Sequence, residues 1–165
     1  MAQRRFTPEL ILEVLMRHEV RFVVIGGLAA LAYGSPIPTR DVDVTPESSL
    51  DNLARLSAAL TELDAQVRFD DEVLPFSHDA ESLAAAGVWD LRTQFGDLDI
   101  SMVPNGTTGY ADLVREAEDV EVMGVVVPVA SLADVIRSKQ AANRPKDQRV
   151  LPVLREILAR RHDRD

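Results

Sequence analysis

Asp41 and Asp43 sit two residues apart in the run Asp41-Val-Asp-Val44. Charged and apolar residues alternate there, which predicts a strand with one polar face. Both carboxylates then point to that face. At about 4 Å, two like charges repel by roughly 4 kcal/mol at an effective dielectric of 20. Such a pair protonates, spreads into solvent or holds a divalent cation. Hard oxygen ligands on one face suit Mg²⁺, which takes one or two carboxylates plus substrate phosphate oxygens. Upstream, Gly26-Gly27 closes an apolar run at the mouth of a predicted helix. Glycines there let backbone N–H groups approach a phosphate closely. Taken singly, a Gly-Gly pair after a strand is usually a turn, and Asp-x-Asp is usually a solvated strand face. The signal is their combination, with thirteen residues between the glycines and the first Asp. An EF-hand loop is a poor match because Pro46 stands where that loop needs glycine. A dinucleotide fingerprint is a poor match too, because no GxGxxG occurs.

Around these residues the pattern alternates strands and helices. Thr7-Pro8-Glu9 opens a helix, with Thr as cap and Pro at the first helical position. Residues 22–25 form a continuous β-branched run that predicts a buried strand, and residues 28–33 a short helix. Two prolines make 35–38 a loop. Leucines at helical spacing mark 50–63. Residues 67–69 read as a short strand and the acidic stretch from Asp70 as an irregular loop, with a helix from Ala80. Strands are predicted over 88–93 and 97–103 around a turn at Phe95-Gly96, then a helix over 110–117. Residues 120–123 and 125–129 flank Gly124 as a hairpin. Ser131 caps a helix running to about Ala142, Pro145 interrupts it, and Pro152 marks the first turn of a last helix reaching about Arg161. Alternation of this kind predicts an α/β or α+β class.

The chain has 165 residues, of which 46% are hydrophobic and 27% charged, the composition of one soluble core-forming domain. There is no cysteine, which excludes disulfides, thiolate catalysis and iron–sulfur clusters. Its three histidines are scattered without metal-binding spacing. The net charge of −9 argues against a general nucleic-acid-coating protein. The charge is uneven, however. Residues 1–136 balance to −14, whereas 137–165 hold 9 basic and 4 acidic residues. That basic segment is either a solvated helix face or a phosphate- or RNA-facing surface. The longest apolar stretch, 22–32, is far below the roughly 20 residues a membrane span needs. No secretory signal pattern is present, so a cytoplasmic protein is expected.

The stretch from Phe22 to Val44 resembles the core of the nucleotidyltransferase superfamily, the polymerase β-like fold. There a glycine pair, a helix and an acidic-x-acidic strand are followed by a third carboxylate on a neighbouring strand. The run from Val129 to Asp147 resembles a second hallmark, found in small prokaryotic relatives of the AbiEii and MenT toxins. The resemblance implies an α+β nucleotidyltransferase fold, a mixed sheet flanked by helices. It implies one domain over 1–165, with its core at about 22–129 and a helical part at about 131–161. By the same resemblance, Gly26 and Gly27 cradle the triphosphate, and Asp41 and Asp43 hold Mg²⁺. The third carboxylate comes from Asp97 or Asp99, which share a strand face. Asp99 is preferred because it directly precedes the apolar strand centre, as in the family. Lys139 contacts phosphate, and Arg144, Lys146 and Asp147 complete the wall. Thr39 fills a position where related toxins carry Ser or Thr. This chain departs from the family pattern in having Gly27 where better-known enzymes have Ser, and Ile37 where many relatives have Arg.

The activity this implies is Mg²⁺-dependent transfer of a nucleoside monophosphate from an NTP to an acceptor hydroxyl. The acceptor could be tRNA, as for a toxin of a toxin–antitoxin pair. Two alternatives compete: a non-catalytic module that needs a cognate antitoxin or other protein partner, and a small-molecule enzyme of aminoglycoside type. Trp89 is expected in the core, His78 on the surface, and Asp70-Asp71-Glu72 in a solvated loop.

Overall fold

The computed structural model describes residues 5–164. In chain order the elements are α1 (Pro8–Arg17), β1 (Phe22–Ile25), α2 (Gly26–Ala32), β2 (Asp41–Pro46), α3 (Leu50–Glu62), β3 (Gln66–Phe69) and β4 (Glu72–Leu74). They continue with α4 (Ala80–Ala84), β5 (Val88–Thr93), β6 (Gly96–Ser101), α5 (Tyr110–Leu113), β7 (Glu118–Val122), β8 (Val125–Val129), α6 (Leu132–Ala142) and α7 (Pro145–His162). The eight strands form one mixed sheet in the order β4-β3-β5-β6-β2-β1-β8-β7. Strand β2 is parallel to β6, and β1 is parallel to β8; the other neighbours are antiparallel. The fold is α+β, as the sequence implied.

Alternation along the central strands separates chemistry from core. Val42, Val44, Leu98 and Ile100 are buried, whereas Asp41, Asp43, Asp97 and Asp99 stay partly accessible on the other face. Leu12 and Leu15 of α1, and Leu53, Leu56 and Leu60 of α3, join those four residues in one core. Burying each such side chain is worth about 1.5–3 kcal/mol. Among the described residues, no helix is long and apolar enough to cross a membrane.

Several local expectations are corrected. Helix α2 starts at Gly26 rather than at residue 28: the glycine pair is its first two residues, with Gly26 at a φ of +69° where β1 runs straight into α2. The acidic stretch after Phe69 is a hairpin rather than a loop: Asp70 adopts a positive φ, and β4 pairs with β3. Every residue of β4 is exposed, so it carries no hydrophobic alternation to reveal it. Helix α5 stops at Leu113, its one buried residue, because no apolar face extends it. The last helix begins at Pro145, not Pro152. Proline suits the first helical position, where its missing N–H is not needed. Pro152 lies inside the helix, which costs about 3 kcal/mol. Burial of Val150, Leu151 and Leu154 outweighs that cost. His78 is not a free surface histidine, since its Nδ1 lies 2.6 Å from Ser57 Oγ. Trp89 is half-buried, donating Nε1–H to the Leu83 carbonyl at 3.1 Å and stacking on Phe76.

Candidate active site

The parallel pairing of β2 and β6 sets Asp41 beside Asp97 and Asp43 beside Asp99. Of these four, Asp41, Asp43 and Asp99 bring one carboxylate oxygen each within 4.8 Å of one another. Asp97 shares their face but is taken up by arginines: its oxygens lie 3.0 Å from Arg92 Nε and 3.3 Å from Arg68 Nη1. The carboxylate cluster therefore takes in Asp99, the residue preferred from the sequence, and not Asp97.

The glycines position this cluster by having no side chain. A Cβ on Gly26 would stand 2.9 Å from the carboxyl carbon of Asp43, and one on Gly27 would stand 2.9 Å from Thr39 Oγ1. Thr39 in turn donates its hydroxyl to the Asp41 carbonyl at 3.2 Å. The end of β1, the start of α2 and the loop before β2 are thus packed directly around the carboxylates.

The three carboxylates form part of the lining of a cleft of about 700 Å³. Gly26, Gly27, Thr39, Lys139, Arg144 and Lys146 line the same cleft. Asp147 does not; it is fully buried beneath that wall. It accepts from the Arg144 backbone N–H at 3.1 Å and from Nε at 2.7 Å, and sits 3.8 Å from Lys139 Nζ. Its place is therefore to anchor two cations rather than to meet a ligand. Arg144 caps α7, and Asn143, at a φ of 51°, turns the chain between α6 and α7. That turn brings Lys139 and Arg144 to one wall.

The electrostatics of the site suit a cation. Burial pushes the Asp43 carboxyl up to about 8, with the charges of Asp41 and Asp99 adding to the effect. Burial also pushes Asp99 up to about 7; Arg68 opposes this, and Asp41 and Asp90 reinforce it. Three ionised carboxylates this close repel strongly. A hard divalent ion relieves that repulsion with oxygen ligands alone. The donor set therefore fits Mg²⁺. Burial lowers the Lys139 ammonium pKa, while Asp147 and Asp43 hold it up.

Two residues escaped the sequence reading. Asp90 stands opposite Asp99 on β5, lines the cleft and is exposed. It was within reach, because the turn at Phe95-Gly96 pairs Thr93 with Gly96, and counting back pairs Asp90 with Asp99. Arg68, 3.0 Å from Asp99, had no local signal, since β3 meets β5 only through long-range pairing.

No protein-family model and no curated protein sequence matches the chain. Solved structures do match its fold. A Thermotoga maritima chain assigned to the nucleotidyltransferases superposes with a TM-score of 0.54 at 19% identity, covering 96% of this chain and 98% of that one. The lincosamide antibiotic adenylyltransferase LnuA, with lincomycin bound, gives 0.61 at 14% identity, covering 94% and 99%. The antibiotic-resistance factor ANT(2″)-Ia, in complex with adenylyl-2″-tobramycin, gives 0.54 at 16% identity, covering 94% and 96%. The fold is that of the nucleotidyltransferases.

Proposed function

We propose that this protein transfers a nucleoside monophosphate from an NTP to an acceptor hydroxyl, with a divalent cation held by Asp41, Asp43 and Asp99. The observation that carries the reading is the convergence of these carboxylates in a cleft that also carries Lys139, Arg144 and Lys146. A cation bound there would neutralise phosphate charge and hold the attacking and leaving oxygens in line. The triphosphate lies along Gly26, Gly27 and Thr39, its outer phosphates toward Lys139, Arg144 and Lys146. The acceptor oxygen bonds to the α-phosphorus as the bond to the bridging oxygen breaks. Pyrophosphate leaves, its charge met by the three cations. The acceptor proton passes to solvent in the cleft, since in this reading all three carboxylates are engaged by the cation.

The acceptor enters on the β5 side of the sheet, away from the basic wall. Val88 and Val103, each 60% exposed, line the cleft with Asp90 and Ile37. An acidic, partly apolar lining favours a small, cationic or amphipathic hydroxyl compound over a phosphate backbone. The kinship of the fold with adenylyltransferases that act on antibiotics supports that reading. The second reading is a tRNA acceptor, with a toxin-like role and a cognate antitoxin as partner. It draws on the basic segment 137–165 and on a groove lined by Tyr33, Arg160, Arg161 and Arg164.

The test supplies four α-labelled NTPs and Mg²⁺ with a lincosamide and aminoglycoside panel, total tRNA, and the protein alone. Wild type runs beside Asp41→Ala and Asp43→Ala. Label on a small molecule that disappears in both variants supports the reading as stated. Label on tRNA alone moves the acceptor to the second reading. No label on any acceptor with any NTP overturns nucleotidyl transfer.

A further inference from the structure

Arg68 reaches the carboxylate site from β3, a strand that supplies nothing else to it. Its Nη2 lies 3.0 Å from Asp99 Oδ1, its Nη1 lies 3.3 Å from Asp97 Oδ2, and Nη1 donates to the Leu91 carbonyl at 3.0 Å. Asp97 is fixed in turn by Arg92 Nε at 3.0 Å. A planar guanidinium fork held at three points has little freedom to swing away. Arg92 meets Asp97 and leaves Asp99 to Arg68. Among the described residues, Asp99 is the one member of the triad in an ion pair.

We propose that Arg68 is a positioning residue that limits how tightly, and with how many divalent cations, the Asp41–Asp43–Asp99 site loads before nucleotide arrives. The inference rests on the metal-dependent reading above. Two effects combine. The guanidinium occupies Oδ1 of Asp99, which leaves the other oxygen of that carboxylate for a cation. It also sets one positive charge against three negative ones, which weakens the field that draws cations in. With Arg68 in place the empty cleft takes one divalent ion. A second must arrive with the oxygens of the triphosphate. The loaded state then depends on NTP, and the site does not fill with metal alone.

The test is Mn²⁺ binding without nucleotide, followed by the paramagnetic signal of the free ion. Wild type is compared with Arg68→Gln, Arg68→Lys, Asp99→Asn and the Arg68→Gln/Asp99→Asn double variant, each checked for folding by thermal melting. Arg68→Gln is expected to bind the first ion about tenfold more tightly and to take a second. Arg68→Lys keeps the charge but loses the fork, and binds about threefold more tightly than wild type. In the Asp99→Asn background, Arg68→Gln tightens binding much less than in wild type, because the blocked oxygen is gone and only the weakened field at Asp41 and Asp43 is relieved. A residue that merely braced β3 would lower the melting temperature and leave Mn²⁺ binding unchanged or weaker in both backgrounds, which overturns the proposal. Should Arg68→Gln not fold, Arg68→Lys decides alone: tighter binding upholds the proposal and unchanged binding sinks it. Wild type that binds no Mn²⁺ at millimolar concentrations removes the metal-dependent reading itself. Wild type that binds while the variants match it removes only the role of Arg68.

Discussion

Gly26, at the junction of β1 and α2, packs against the Asp43 side chain on the neighbouring strand β2. The α-carbon of Gly26 presents its bare side to the Asp43 carboxyl, in the space a Cβ would fill at 2.9 Å from the carboxyl carbon. At a φ of +69°, the same residue adopts a backbone conformation that side-chain-bearing residues take only under strain. One glycine thus joins the strand to the helix and leaves room for a carboxylate of the triad.

Gly26→Ala therefore fails twice, through strain and through displacement of Asp43. Strain of this kind costs about 1–3 kcal/mol. The displaced carboxylate should abolish detectable Mn²⁺ binding and transfer. Gly34→Ala is the control, since Gly34 also has a positive φ, 102°, but nothing lies within 4 Å of its added Cβ. It should lose stability alone and keep metal binding. Equal loss of Mn²⁺ binding in both variants would refute the contact argument.

The division between Asp97 and Asp99 is equally testable. Asp99→Asn removes a charge from the triad and should reduce transfer by a factor of roughly 100 or more, the range seen when a directly participating group is removed. Asp97→Asn loosens Arg68 and Arg92 without touching the triad, so its activity should stay within about tenfold of wild type. Initial rates at saturating Mg²⁺ decide this. The reverse order of effects would return the third position to Asp97.

Much of this site was legible because its determinants are local. Gly26-Gly27 and Asp41-x-Asp43 are short-range patterns, and strand alternation alone puts the two carboxylates on one face. Ser131 accepting from the Asp134 N–H at 3.1 Å is likewise a local cap that sequence spacing announces. Asp90 needed one further step, the register of a hairpin. Arg68 needed the order of the sheet, which no local pattern encodes. Strand β4 was hidden because all its residues are exposed, and the start of α7 because Pro152 looked like a boundary. In α7, tertiary burial of three apolar residues outweighed a local penalty that sequence reading takes at face value.

Metal and protons should compete at the triad. Asp43, pushed up to about 8, and Asp99, pushed up to about 7, both lose their protons near pH 4 in an unfolded chain. Between about pH 4 and 8 the folded protein holds more protons than the unfolded one, so its stability falls as pH rises through that window. Each pH unit over which one such proton difference persists costs about 1.4 kcal/mol. Thermal melting in EDTA should decline across this range, and saturating Mg²⁺ should restore the loss at pH 8. Asp43→Asn should melt higher than wild type at pH 8 in EDTA and respond less to pH. A flat melting profile for metal-free wild type would remove the electrostatic basis of this prediction.

Lys139 and Asp147 separate a cleft-facing position from a buried supporting one. Asp147 is fully buried and accepts three hydrogen bonds from Arg144, at 2.7, 3.1 and 3.3 Å, while Lys139 stands 3.8 Å away and lines the cleft. Removing Asp147 leaves a half-buried ammonium without its counter-charge and α7 without its capping carboxylate. Breaking a buried pair in this way costs about 3–5 kcal/mol, so Asp147→Ala should melt far below wild type. Lys139→Met should behave differently. Asp147 keeps its bonds to Arg144, methionine fills the volume of the lysine stem, and the melting temperature should stay close to that of wild type. What disappears is one positive charge lining the cleft, which the proposed reaction sets against the phosphates. Transfer with Lys139→Met should fall by a factor of about 100, and NTP binding should weaken as well. Melting curves and NTP titrations of the two variants, measured side by side, decide the matter. A Lys139→Met protein that unfolds like Asp147→Ala would make Lys139 a packing residue, and the basic wall would then rest on Arg144 and Lys146 alone.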